Sequence, residues 1–82
     1  MKMEIVRIHK LDETGPTKAF VDVELEGAFI IKGVRIIEGK DGPFVSLPRE
    51  EGRDGKWYNT VVPVSREIKE TLDTMILEAY NS

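Results

Sequence analysis

The chain has no cysteine, one histidine (His9), one tryptophan (Trp57) and no long apolar run. Without cysteine there is no disulfide, no thiolate nucleophile and no cysteine zinc site. A lone histidine supplies one metal ligand where zinc takes three or four, so His9 reads as a structural or solvent-facing residue. No stretch reaches the ~20 apolar residues that span a bilayer, and Met1 to Lys10 has no signal-peptide core. A soluble, cytoplasmic protein without membrane contact is the expectation. Positive charge is also scarce: 12 Lys and Arg stand against 15 Asp and Glu, a net charge of −3. That is not the basic footprint of a strong non-specific DNA binder, so any nucleic-acid role must rest on a local patch.

What is present fits one domain over residues 1–82. A chain of this length buries only roughly 60–65% of the surface its unfolded form exposes, which leaves it marginal alone. Short β-patterned runs alternate with Gly and Pro turns. Met3–Lys10 reads as a first strand, followed by a turn cluster from Asp12 to Pro16. From Lys18 to Leu25 the alternation is clean: Ala19, Val21, Val23 and Leu25 share one face, Lys18, Asp22 and Glu24 the other, with Phe20 the exception. Glu26-Gly27 makes a hairpin connection into Phe29–Glu38.

Unbroken alternation along that third strand would put Phe29, Ile31 and Ile37 on one face with Gly33 and Arg35. Ile30, Val34 and Ile36 would take the other with Lys32. Both faces are then apolar, and one helix covers only one of them. A second copy of the chain is the simplest cover, and a sheet curled on itself the alternative. Pro43–Pro48 reads as an edge strand, because proline at each end cannot donate to a ladder. Arg49 to Trp57 reads as a charged loop, and Tyr58–Pro63 as a fifth strand.

Ser65 is a good N-cap for a helix with Glu67 in its first turn, although Ile68 replaces the acid of a capping box. Ile68, Leu72, Met75, Ile76 and Ala79 form its core stripe. Tyr80 and Leu77 widen that stripe. Two readings stand: a helix end tucked against the sheet, or contact with a second subunit.

Catalytic chemistry has little to work with. Ser65 is accounted for as a cap, and Ser46 has no base partner in sequence. Glu50, Glu51 and Asp54 match no calcium-loop spacing. Gly52 and Gly55 lack the phosphate-loop pattern, and Gly55 reads as a turn residue after Asp54. Neither an enzyme nor a metal, cofactor or small-molecule substrate is expected. The basic residues say more. Arg53, Lys56 and Trp57 lie close in sequence to Arg66 and Lys69, so loop and helix start can form one patch, with Trp57 and Tyr58 as a stacking surface for an unpaired base. Against this stands pairing of Arg66 with Glu70 and Lys69 with Asp73, four residues on.

An ordered set of stretches then resembles the stage V sporulation protein G (SpoVG) family. They are Val6-Arg7-Ile8, Val34 to Ile37, Gly42 to Pro48, Asp54 to Trp57, Val62-Pro63-Val64 and Leu77 to Tyr80. The resemblance implies an α+β fold: a single antiparallel-rich sheet of about five strands with one C-terminal helix, forming a homodimer. It implies a non-enzymatic regulator of sporulation, septation or related gene expression that binds DNA and in some members RNA. Contact around the C-terminal helix, carried over, points to Arg66 and Lys69 with Arg53 and Lys56 as neighbours. The chain departs from the family pattern after Pro48. There Arg49-Glu50-Glu51 replaces a basic run, and Glu67, Glu70 and Asp73 interrupt the helix cations. A protein-interaction module without nucleic-acid contact is the rival reading.

Overall fold

The computed structural model describes residues 1–12 and 14–82. Glu13, part of the expected turn from Asp12 to Pro16, lies outside them. Six strands precede one helix: β1 (Met3–Lys10), β2 (Thr17–Leu25), β3 (Phe29–Gly39), β4 (Gly42–Ser46), β5 (Arg49–Glu51), β6 (Trp57–Asn59) and α1 (Arg66–Tyr80). The first four form an antiparallel sheet in the order β1-β2-β3-β4, and β5 pairs with β6 in a separate two-stranded sheet. The class is α+β, as expected, with the strands divided between two sheets.

The β2–β3 turn shows why Glu26-Gly27 makes a hairpin. Both residues have positive φ, 54° and 64°, and the Ala28 N–H donates to the Leu25 carbonyl. Such a turn matches the twist of the strands it joins. In β2, Ala19, Val21 and Val23 are fully buried, as their alternation predicts.

Strand β3 corrects the expected faces. Val23 pairs with Ile31, but Val21 pairs with Val34 and Ala19 with Ile36, so β3 carries one extra residue across this interval. The bulge falls at Gly33, whose φ of +82° suits glycine. It switches the strand's phase. Ile31, Val34 and Ile36 face the core together, whereas Arg35, opposite Phe20, and Ile37, opposite Phe44, face the other way. Ile30, opposite Glu24, also lies on the outer face and is exposed. Two apolar faces read from unbroken alternation are thus largely one apolar face read through a bulge.

The core gathers Ala19, Val21, Val23, Val34, Ile36, Val45 and Leu47 against Leu72 and Ile76 of α1. Full burial of each larger aliphatic is worth roughly 1.5–3 kcal/mol. The Ser65 hydroxyl accepts from the Ile68 N–H at 3.2 Å and so caps the helix. Leu77 and Tyr80 pack against the core, and Lys10 Nζ sits 5.4 Å over the Tyr80 ring, so the broadened stripe is used within the chain. Strand β4 occupies a sheet edge, the place its flanking prolines indicate.

The charged stretch after Pro48 is a hairpin rather than a loop. Arg49, Glu50 and Glu51 pair with Asn59, Tyr58 and Trp57. At its tip, Asp54 accepts from the Lys56 backbone N–H and from the Tyr58 hydroxyl. The strand expected over Tyr58–Pro63 is correspondingly shorter and earlier, ending at Asn59. Thr60 returns to the Pro48 carbonyl through both its N–H and its hydroxyl. Beyond it, Val62 and Val64 are exposed.

Candidate nucleic-acid interface

The sheet edge at β4 is where cations and aromatic rings meet. An open groove of about 560 Å³ runs between this strand, the segment from Asn59 to Pro63 and the start of α1. Ile37, Phe44 and Leu47 give it an apolar floor, and Arg49, Arg66 and Lys69 supply its charge. Each cation has a structural reason to be there. β4 ends at Ser46, and Leu47 and Pro48 link it to Arg49, which begins the hairpin, while the Ser65 cap fixes the first turns that carry Arg66 and Lys69.

A second recess of about 320 Å³ adjoins the groove, sharing Ser46, Leu47 and Arg49 with it. Gly33, Arg35, Pro48 and Trp57 complete its walls. The Arg49 guanidinium lies 5.8 Å over the Trp57 ring, and that of Arg35 lies 5.9 Å over Phe20. Trp57 remains 58% exposed, and Phe44 and Tyr58 are exposed too.

The two sets of cations differ in their partners. Lys69 is held by Asp73 at 2.6 Å, and Arg66 approaches Glu70 at 3.9 Å. Both are helical pairs four residues apart with the base N-terminal to the acid, the less favourable order, worth about 0.2–0.5 kcal/mol. Asp73 is half-buried, and its second oxygen, Oδ1, is buried without a hydrogen bond. Arg35 and Arg49 have no carboxylate partner among the described residues; aromatic rings hold them instead.

Of the residues singled out from sequence, Arg66 and Lys69 share the groove. Arg53 and Lys56 sit outside its lining, in the turn between β5 and β6, where both are exposed. At that turn the Tyr58 hydroxyl, then the Lys56 N–H, hold the Asp54 carboxyl below its usual range. The same hydrogen bond raises the Tyr58 phenol. Sequence reasoning passed over Arg49 and Arg35 as site residues. The signal for Arg49 was its place directly after Pro48, masked by Glu50 and Glu51. Arg35 became legible only through the bulge. His9 lies exposed on the outer face, opposite Phe20.

Other chemistry finds little footing. Among the described residues no group of three or more His, Cys, Asp and Glu is placed to hold a metal ion, and no helix is long and apolar enough to cross a membrane. One apolar cleft of about 230 Å³ adjoins the groove through Leu47, Val61, Val62 and Pro63, and is walled further by Met1, Met3, Ile31, Val64, Ile68 and Leu72 among others.

Comparison with known proteins agrees with the residues that suggested a family. The sequence profile of the SpoVG family matches residues 1–82. A relative from Archaeoglobus fulgidus is 36% identical over 75 residues, covering 92% of this chain and 88% of its own length. One from Clostridium beijerinckii is 34% identical over 80 residues, covering 98% and 88%. Another from Agathobacter rectalis is 29% identical over all 82 residues and 94% of its own length. All three are provisionally named septation protein SpoVG, a name that denotes no enzyme. Matched along its whole length, the chain belongs to the SpoVG family.

Proposed function

We propose that this protein is a small, dimeric, nucleic-acid-binding regulator that acts in the cytoplasm in processes linked to septation or sporulation. The observation that carries the reading is the convergence of Arg49, Arg66 and Lys69 on one groove floored by apolar side chains, in a chain of net charge −3. A local positive site on an acidic protein favours a polyanion that follows the groove over one that coats the surface. Arg53 and Lys56 would extend the contact from the hairpin tip. The link to septation comes from the relatives' name.

The free side of β4 and the exposed Phe29, Ile30, Val62 and Val64 support a second copy of the chain. Two copies would present two grooves, and bivalency can add ~10²–10⁴ in avidity where geometry permits. Light scattering at the mass of a single chain would remove the dimer.

Binding is tested by titrating purified protein with duplex and single-stranded DNA and RNA at two salt concentrations. The expected slope of log affinity against log salt is about −0.9 per phosphate contact on duplex DNA. Arg66→Ala should flatten it by about one contact. No binding at low salt refutes the reading. The apolar cleft beside Met1 and Val64 favours a second reading, a protein-interaction module. Under that reading, capture of a partner protein survives nuclease treatment, and loss of every partner counts against it.

A further inference from the structure

We infer that the recess between Arg35, Arg49 and Trp57 takes an unpaired nucleobase, so that the ligand of this interface is single-stranded nucleic acid. The inference rests on the proposed function and narrows its ligand class. Four observations support it.

First, Trp57 is the one tryptophan of the chain, and it stands 58% exposed on a three-residue strand instead of in the core. Exposing so large an apolar ring forgoes the burial that a small domain needs. Second, Arg49 lies over that ring and also lines the neighbouring groove. A guanidinium over an aromatic ring keeps N–H donors free to meet a phosphate. Third, the recess carries Arg35 and Arg49 but no carboxylate among its lining residues, and neither arginine is paired to an acid among the described residues. No local salt bridge must break before an anion can bind, in contrast to Lys69 and Asp73. Fourth, Gly33 has no side chain to fill its part of the wall, and a Cβ built there meets nothing within 4 Å.

Together these form a flat ring, two unneutralised guanidinium groups and open room beside them. A duplex keeps its base faces stacked inside and offers a ring of this kind only backbone and edges. A single strand can turn one base onto Trp57 and lay the adjoining phosphates against Arg49 and on toward Arg66. Every base has an aromatic face, so the recess itself should discriminate weakly among sequences.

The lone tryptophan makes the test direct. Its fluorescence is followed while full-length protein is titrated with short oligothymidylate, and separately with the same strand annealed to its complement, at matched salt. The single strand is expected to quench Trp57 and bind more tightly than the duplex. Trp57→Ala, read by an end-labelled probe, should weaken single-strand binding roughly 5- to 150-fold, the loss expected for one stacked base, and weaken duplex binding by clearly less. Trp57→Phe, which keeps a ring and the strand, should retain most of the affinity. Tighter duplex binding, or single-strand binding without quenching and insensitive to Trp57→Ala, overturns this inference and leaves the nucleic-acid reading standing. Absence of binding to either probe at low salt overturns both.

Discussion

Replacing Gly33 tests the bulge on which both the core and the recess depend. The residue has φ +82°, and a Cβ added there meets nothing within 4 Å. Steric contact therefore contributes nothing to the cost of Gly33→Ala, which comes from the backbone alone. A left-handed conformation costs an L-residue with a side chain roughly 1–2 kcal/mol. Restriction of the unfolded chain by the new methyl returns part of that, about 0.4–1 kcal/mol. A net loss of about 1 kcal/mol should lower Tm by roughly 4–8 °C in a domain of this size. Gly33→Asn should lose less, because asparagine tolerates this region better.

Deleting Gly33 is a different perturbation. Without the extra residue, alternation either turns Val34 and Ile36 outward or displaces Ile31 on the other side, and it drives Arg35 toward the core. Two fully buried aliphatics lost from the core amount to roughly 3–6 kcal/mol. That is a large share of the ~5–15 kcal/mol a domain has in total. Urea unfolding of the three variants, with Tm by circular dichroism, gives the ranking. Gly33→Ala as stable as the parent, or a deletion variant with a parental Tm, would refute the bulge.

Two further predictions concern charge. Asp73→Asn releases Lys69 into the groove at a stability cost of no more than about 0.5 kcal/mol. Nucleic-acid affinity should rise and the salt slope steepen by about one contact, and an unchanged slope in folded protein would remove Lys69 from the interface. At the hairpin tip, Tyr58 and the Lys56 N–H hold Asp54 below 3.8, so their support of the turn is complete above that pH and fades as pH falls through the depressed value. An NMR titration should find the Asp54 midpoint below 3.8 and see it rise in Tyr58→Phe; a midpoint indifferent to that change removes the hydrogen bond.

Legibility from sequence followed local regularity. Strand β2 could be read because each of its alternate residues from Ala19 to Val23 meets one side of the sheet. The helix could be read because Ser65, Leu72 and Ile76 obey cap and period rules that need no partner. Strand β3 resisted, since a single extra residue inverts every later side chain, and the glycine that allows it resembles any other. The hairpin of β5 and β6 was hidden for another reason. All six of its residues are exposed, so no apolar alternation marks it, and only Asp54 and Gly55 signal a turn. Arg66 and Lys69 were legible as helix-start cations, whereas Arg35 and Arg49 required the phase of β3 and the turn after Pro48.

The strand order carries a consequence for how the molecule assembles. In the main sheet every strand pairs with its neighbour in the chain, so each ladder closes only a short loop. The contact of α1 with β1 is the distant one: Lys10 lies over the Tyr80 ring and, just past the helix end, meets the Ser82 carbonyl across 72 positions. Short closures come early and long ones late. The meander should therefore form first, with its apolar side open to water until the helix lands on it. Truncating Leu72 or Ile76 should then quicken unfolding and leave the folding rate nearly unchanged, and a chevron in which the folding arm moves instead would reverse that order.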